Sequence, residues 1–79
     1  MGQQRISLSD SFQFGLFRKS MNYLNHRKKD LNSYDLAFYR KLRDGYDAVG
    51  REMTITVNQM NYLRQVHREL EAEAYYHDR

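Results

Sequence analysis

Apolar side chains recur at helical spacing in three stretches of this chain, with polar residues filling the positions between them. In the first, Phe14, Phe17, Met21 and Leu24 fall three and four apart, while Arg18, Lys19, Asn22, Asn25 and His26 point elsewhere around the turn. This spacing predicts a helix over 10–28. Ser7, Ser9 and Asp10 offer oxygens to its first free N–H groups, and the cations Arg27, Lys28 and Lys29 suit the negative end of its dipole.

The second stretch opens at Asn32 and Ser33, both good caps, and carries Leu36, Tyr39, Leu42, Tyr46 and Val49 on one face. A helix over 33–49 follows, ending near Gly50. Arg40 with Asp44 and Arg43 with Asp47 are spaced for ion pairs on its exposed side, each worth a few tenths of a kcal/mol. Gly45 within the pattern costs about 1 kcal/mol relative to alanine, which marks it as a point of close helix–helix approach.

Residues 50–55 break the period and read as a connection, with Ile55 plugging the core. Thr56-Val-Asn-Gln59 has the form of a capping box, so a third helix starts there. Met60, Leu63, Val66, Leu70 and Ala74 give it an apolar stripe over 56–75, beyond which Tyr75 to Arg79 are expected to fray. The prediction is an all-α protein: one compact three-helix domain over 1–79, whose last helix is long enough to project and pair with a second copy.

Seventy-nine residues suffice for one core and not for two. A chain this size buries about 60% of its unfolded surface, which leaves little interior for a water-excluding pocket. There is no cysteine, hence no disulfide, thiolate nucleophile or Cys-based zinc site. No apolar run reaches membrane-spanning length, and the first residues lack a secretory signal, so a cytoplasmic protein is expected. The net charge of +3 is unevenly spread. Arg5, Arg18, Lys19, Arg27, Lys28 and Lys29 face only Asp10 and Asp30 within residues 1–31, so the first helix is the basic one.

Nothing in the sequence assembles into a catalytic, cofactor or metal site. Asp44 with Asp47 and Glu69 with Glu73 share helix faces, but neighbouring arginines make these solvated, ion-paired surfaces rather than acid–base dyads. His67 is one turn from Glu71, a single imidazole and a single carboxylate where a metal asks for more. His67 is expected to be partly buried beside Leu63 and Leu70, His26 belongs with the basic cluster, and His77 lies in the tail. The expectation is a non-enzymatic protein with no cofactor.

Binding is what remains. Tyr23, Tyr34, Tyr62, Tyr75 and Tyr76 fall off or beside the apolar stripes, where they either cap the edge of the core or offer rigid rings to a partner. The basic face, Arg18, Lys19, His26, Arg27, Lys28 and Lys29, is joined by Arg64 and Arg68, which repel each other one turn apart, a cost that binding an anion offsets. Arg18, Lys19, Tyr23, His26, Arg27, Lys28, Lys29, Tyr62, Arg64 and Arg68 form the expected partner surface, facing a host protein or a nucleoprotein complex. The alternative is a helix-turn-helix made by the second and third helices, in which Thr56, Asn58, Gln59, Asn61 and Arg64 read base edges.

In its size, methionine start, lack of cysteine and tyrosine-rich helices, the chain resembles the small helical accessory proteins of phages and mobile elements, including anti-CRISPRs and inhibitors of host enzymes. The stretch from Leu42 to Leu63, through Leu-Arg-Asp-Gly-Tyr and Gly-Arg-Glu-Met-Thr, is similar to the helix–turn–helix hairpins of such proteins. The resemblance implies an inhibitor or accessory factor that blocks its target sterically. It transfers no functional residue.

Overall fold

Three helices and two very short strands make up residues 4–77, the part of the chain that the computed structural model describes. In chain order they are β1 (Arg5–Ser7), α1 (Ser11–His26), α2 (Ser33–Val49), β2 (Thr54–Thr56) and α3 (Val57–His77). Single 3-10 turns at Lys28–Asp30 and Gly50–Glu52 complete the two links. The three-helix, all-α expectation holds.

Each helix begins where a side-chain oxygen can take up a free N–H. The Asp10 carboxylate accepts from the Gln13 N–H at 2.9 Å, and the Asn32 side chain accepts from Asp35 N–H at 2.8 Å. The capping box at α3 is reciprocal: Thr56 N–H donates to Gln59 Oε1 at 2.9 Å and Gln59 N–H donates to Thr56 Oγ1 at 3.0 Å. Two expected ends shift. α1 stops at His26 rather than at 28, because Arg27 leaves helical geometry (φ −118, ψ 25) and its Nε donates to Asp30 Oδ2 at 2.6 Å, anchoring the 3-10 turn. At the other terminus α3 continues unfrayed to His77. The side chains of Tyr76 and His77, to which a surface ring and a tail imidazole were assigned, lie outside the described residues.

The strands were not expected. β1 and β2 pair antiparallel in the register Arg5 to Thr56, Ile6 to Ile55 and Ser7 to Thr54. Bonds from Val57 N–H to Gln4 O (3.0 Å) and from Leu8 N–H to Met53 O (3.1 Å) extend the ladder at both ends. The ribbon therefore ties the start of α1 to the start of α3.

The core collects Phe17, Met21 and Leu24 from α1, Tyr39 and Leu42 from α2, and Met60, Leu63, Val66 and Leu70 from α3, closed by Leu8 and Ile55. α1 packs most closely on α3. Val49, expected on the apolar face of α2, is instead 52% exposed, since the helix has run past the core by that point. Gly45 does mark a close approach, but to Met53 of the link rather than to a helix: a Cβ there would stand 2.9 Å from Met53 Cε. Arg43 pairs with its neighbour Asp44 at 3.4 Å and not with Asp47.

Candidate functional site

Ser20 sits on the apolar stripe of α1, between Phe17 and Leu24, and is buried with them. A hydroxyl in that position needs a partner, and it finds His67 of α3: Ser20 Oγ lies 2.9 Å from His67 Nδ1. The other ring nitrogen, Nε2, lies 3.2 Å from Glu71 Oε1. A carboxylate accepts only, so Nε2 carries the proton, Nδ1 is left as an acceptor, and the Ser20 hydroxyl donates to it. Tyr23 stacks on the imidazole with centroids 4.6 Å apart. Burial holds the His67 pKa below its ordinary value; the carboxylate of Glu71 opposes that shift and the charges of Lys19 and Arg64 reinforce it.

Serine, histidine and carboxylate in that order are the components of a charge relay, but Ser20 is 3% exposed and lies mid-helix. The N–H groups around it are spent on helix bonds, so none is free to hold an oxyanion. What this network does is lock α1 to α3.

Above the network is a cleft of about 160 Å³, into which Lys19, Arg64 and Arg68 project around Leu16, Ser20 and His67. Among the described residues Glu71 is the one carboxylate lining it. Among the described residues none of the three cations forms an ion pair. On the outward side of α3 Asn58, Asn61, Arg64, Gln65 and Arg68 are all exposed, with Gln65 Nε2 donating to Glu69 Oε1 at 3.1 Å. From Val57 to Arg68 that helix contains no acidic residue.

The expected partner surface is thus divided. Lys19, Tyr23, Arg64 and Arg68 come together at the α1/α3 seam. Arg18 turns to the other side of α1, into a groove of about 510 Å³ shared with α2, whose floor is Phe17, Met21 and Tyr39 and whose rim holds Arg18, Asn22 and Arg43. His26, Lys28 and Lys29 are exposed at the end of α1 and in the turn after it, while Arg27 is drawn onto Asp30 and the Tyr23 hydroxyl. Tyr62 belongs to a third place, an aromatic shelf in which its ring meets Phe38 and Tyr34 edge-on at 5.0 and 6.0 Å. Its hydroxyl donates to Asp35, and that bond pushes its pKa up to about 12.

The helix-turn-helix reading fares unevenly. Thr56 and Gln59 spend their side chains on the capping box, and the link between α2 and α3 contains a 3-10 turn and β2 instead of a tight turn. Asn58, Asn61 and Arg64 remain available. Sequence reasoning passed over Arg51, which donates to the carbonyls of Leu8 and Ser9 at 3.2 and 3.3 Å and lies 4.4 Å over the Phe14 ring. It also passed over Ser20, whose signal was legible as the lone hydroxyl on an apolar stripe.

Among the described residues no three potential ligands cluster as a metal site, and no helix is long and apolar enough to cross a membrane. Compared with protein-family models, with curated proteins and with solved structures, the chain matches none.

Proposed function

We propose that this protein is a non-catalytic binding module that lays the α1/α3 face against the phosphate backbone of a nucleic acid or nucleoprotein complex. The observation that carries this reading is the set of cations Lys19, Arg64 and Arg68, gathered at one cleft without an ion pair among the described residues, the last two on a helix that has no carboxylate from Val57 to Arg68. Three like charges held around a single carboxylate, Glu71, which is itself spent on His67, are a cost to the free protein that phosphates offset. Asn61, one turn before Arg64 on the same helix, supplies an amide group able to bond base edges or sugars, while Gln65 donates its NH2 to Glu69 at 3.1 Å.

The test is retention of duplex and single-stranded oligonucleotides as salt is varied. Three neutralised phosphates imply a slope of about −2.7 in log affinity against log salt on duplex, or roughly fortyfold weaker binding between about 50 and about 200 mM. Arg64→Glu with Arg68→Glu abolishes retention, and Arg18→Glu, on the far side of α1, leaves it largely intact. Absence of retention at the lowest salt overturns the reading.

A second reading, an accessory protein that docks on a larger protein, is favoured by the aromatic shelf. Tyr34 there is 71% exposed and stands edge-on to Tyr62, as hot-spot rings often do.

A further inference from the structure

The groove between α1 and α2 is separate from the face just described, and it presents a single kind of chemistry. Its rim carries the guanidinium groups of Arg18 and Arg43, the latter 3.4 Å from Asp44 Oδ1, and among the described residues no acidic side chain lines the groove itself. The Tyr39 hydroxyl donates to Asn25 Oδ1 at 3.0 Å, which uses the amide oxygen and leaves the Asn25 NH2 as a donor to the groove. The aromatic rings at its edge are not open platforms for stacking a base. Phe14 has the Arg51 guanidinium at 4.4 Å and the Tyr46 ring at 6.0 Å, and Arg43 lies 5.9 Å over Tyr39. What fits is a small apolar side chain flanked by carboxylates.

The same chain carries such a segment. Among the residues of α3 whose burial is described Leu70 is the last fully packed one, and the helix runs on to His77 with Glu71, Ala72 and Glu73 exposed. Glu69, Ala72 and Glu73 follow the i, i+3, i+4 spacing and so share one face, an apolar methyl beside two carboxylates, of which Glu69 accepts from Gln65 Nε2 at 3.1 Å through one oxygen. The molecule is 42 Å in its long dimension against 25 and 20 Å in the others, and the exposed Glu71, Ala72 and Glu73 near the end of α3 are open to a neighbour.

We infer that the α1/α2 groove is the receptor for the acidic end of α3 from a second copy of the chain, with Glu69 and Glu73 meeting Arg18 and Arg43. The inference is independent of the nucleic-acid reading, since it uses neither Lys19, Arg64 nor Arg68.

Sedimentation equilibrium of the purified chain, without nucleic acid, tests it. Mass rises above that of the monomer with concentration at low salt and returns to the monomer at high salt, because the pairing is electrostatic. Arg18→Glu with Arg43→Glu abolishes association, and so does Glu69→Arg with Glu73→Arg. The chain carrying all four changes associates again, within about threefold of the wild-type concentration dependence. Circular dichroism confirms that each variant is helical; if the Arg43 change unfolds the chain, Arg18→Glu alone against Glu73→Arg alone gives the same comparison with a weaker effect. A chain that stays monomeric at every concentration overturns the inference, as does an oligomer that the two reversals leave intact or that the fourfold variant fails to restore.

Discussion

His67 is a buried base on which burial and the charges of Lys19 and Arg64 oppose protonation while the Glu71 carboxylate at Nε2 favours it; Ser20 donates to Nδ1 and Tyr23 covers one face. Because its folded pKa is lowered by burial, the unfolded chain takes up the proton first as pH falls. Stability contributed here is complete above the ordinary imidazole value of about 6.5 and is progressively lost below it, until the folded pKa is reached. The urea midpoint is therefore expected to fall between about pH 7 and pH 5, a window in which most carboxylates stay ionised, and His67→Gln is expected to flatten that fall. A wild-type midpoint unchanged across the window would contradict this account. At this scale much was readable: burial of His67 followed from its place beside Leu63 and Leu70, though it goes further than the partial burial expected, to 7% exposed. Its partner did not, because the bond joins residues 47 apart and depends on how α1 and α3 are rotated.

Elements were legible to the degree that their signals are local. Periodicity and caps located all three helices, and the Thr56–Gln59 box fixed the start of α3 to within one residue. β1 and β2 left no such trace, since three residues are too few to show an alternation and each strand exists only through its partner. Gly45 within α2 and Gly50 at its end show how position decides meaning. Gly50 closes the helix at φ +62, ψ −138, a conformation open almost only to glycine. Gly50→Ala should cost about 1–3 kcal/mol in urea unfolding. Gly45 is inside the helix, where alanine gains about 1 kcal/mol in propensity and its methyl meets only the flexible end of Met53. Gly45→Ala should therefore be close to neutral, and equal losses at the two positions would refute the distinction.

For the whole molecule, the division of labour among surfaces was the least legible feature. Charge counting found that α1 is basic, but which side of it each cation faces depends on packing: Lys19 turns to Arg64 and Arg68, and Arg18 to Arg43, though the two residues are adjacent in sequence. That packing depends in turn on the short ribbon. Ile55 is 1% exposed, pairs with Ile6 across the strands and stands between the link and all of α3, so it fixes where α3 starts relative to α1. A domain of this size keeps only about 3–5 kcal/mol of net stability. Truncation of a buried isoleucine to alanine removes about 2–5 kcal/mol, against about 0.5–1.5 for valine. Ile55→Ala is thus expected to leave a large unfolded fraction at room temperature, seen as lost helical ellipticity, while Ile55→Val remains folded with a lower urea midpoint. If Ile55→Ala kept wild-type stability, the strands would be ornaments on a bundle that holds its own register, and the gathering of Lys19, Arg64 and Arg68 would need another cause.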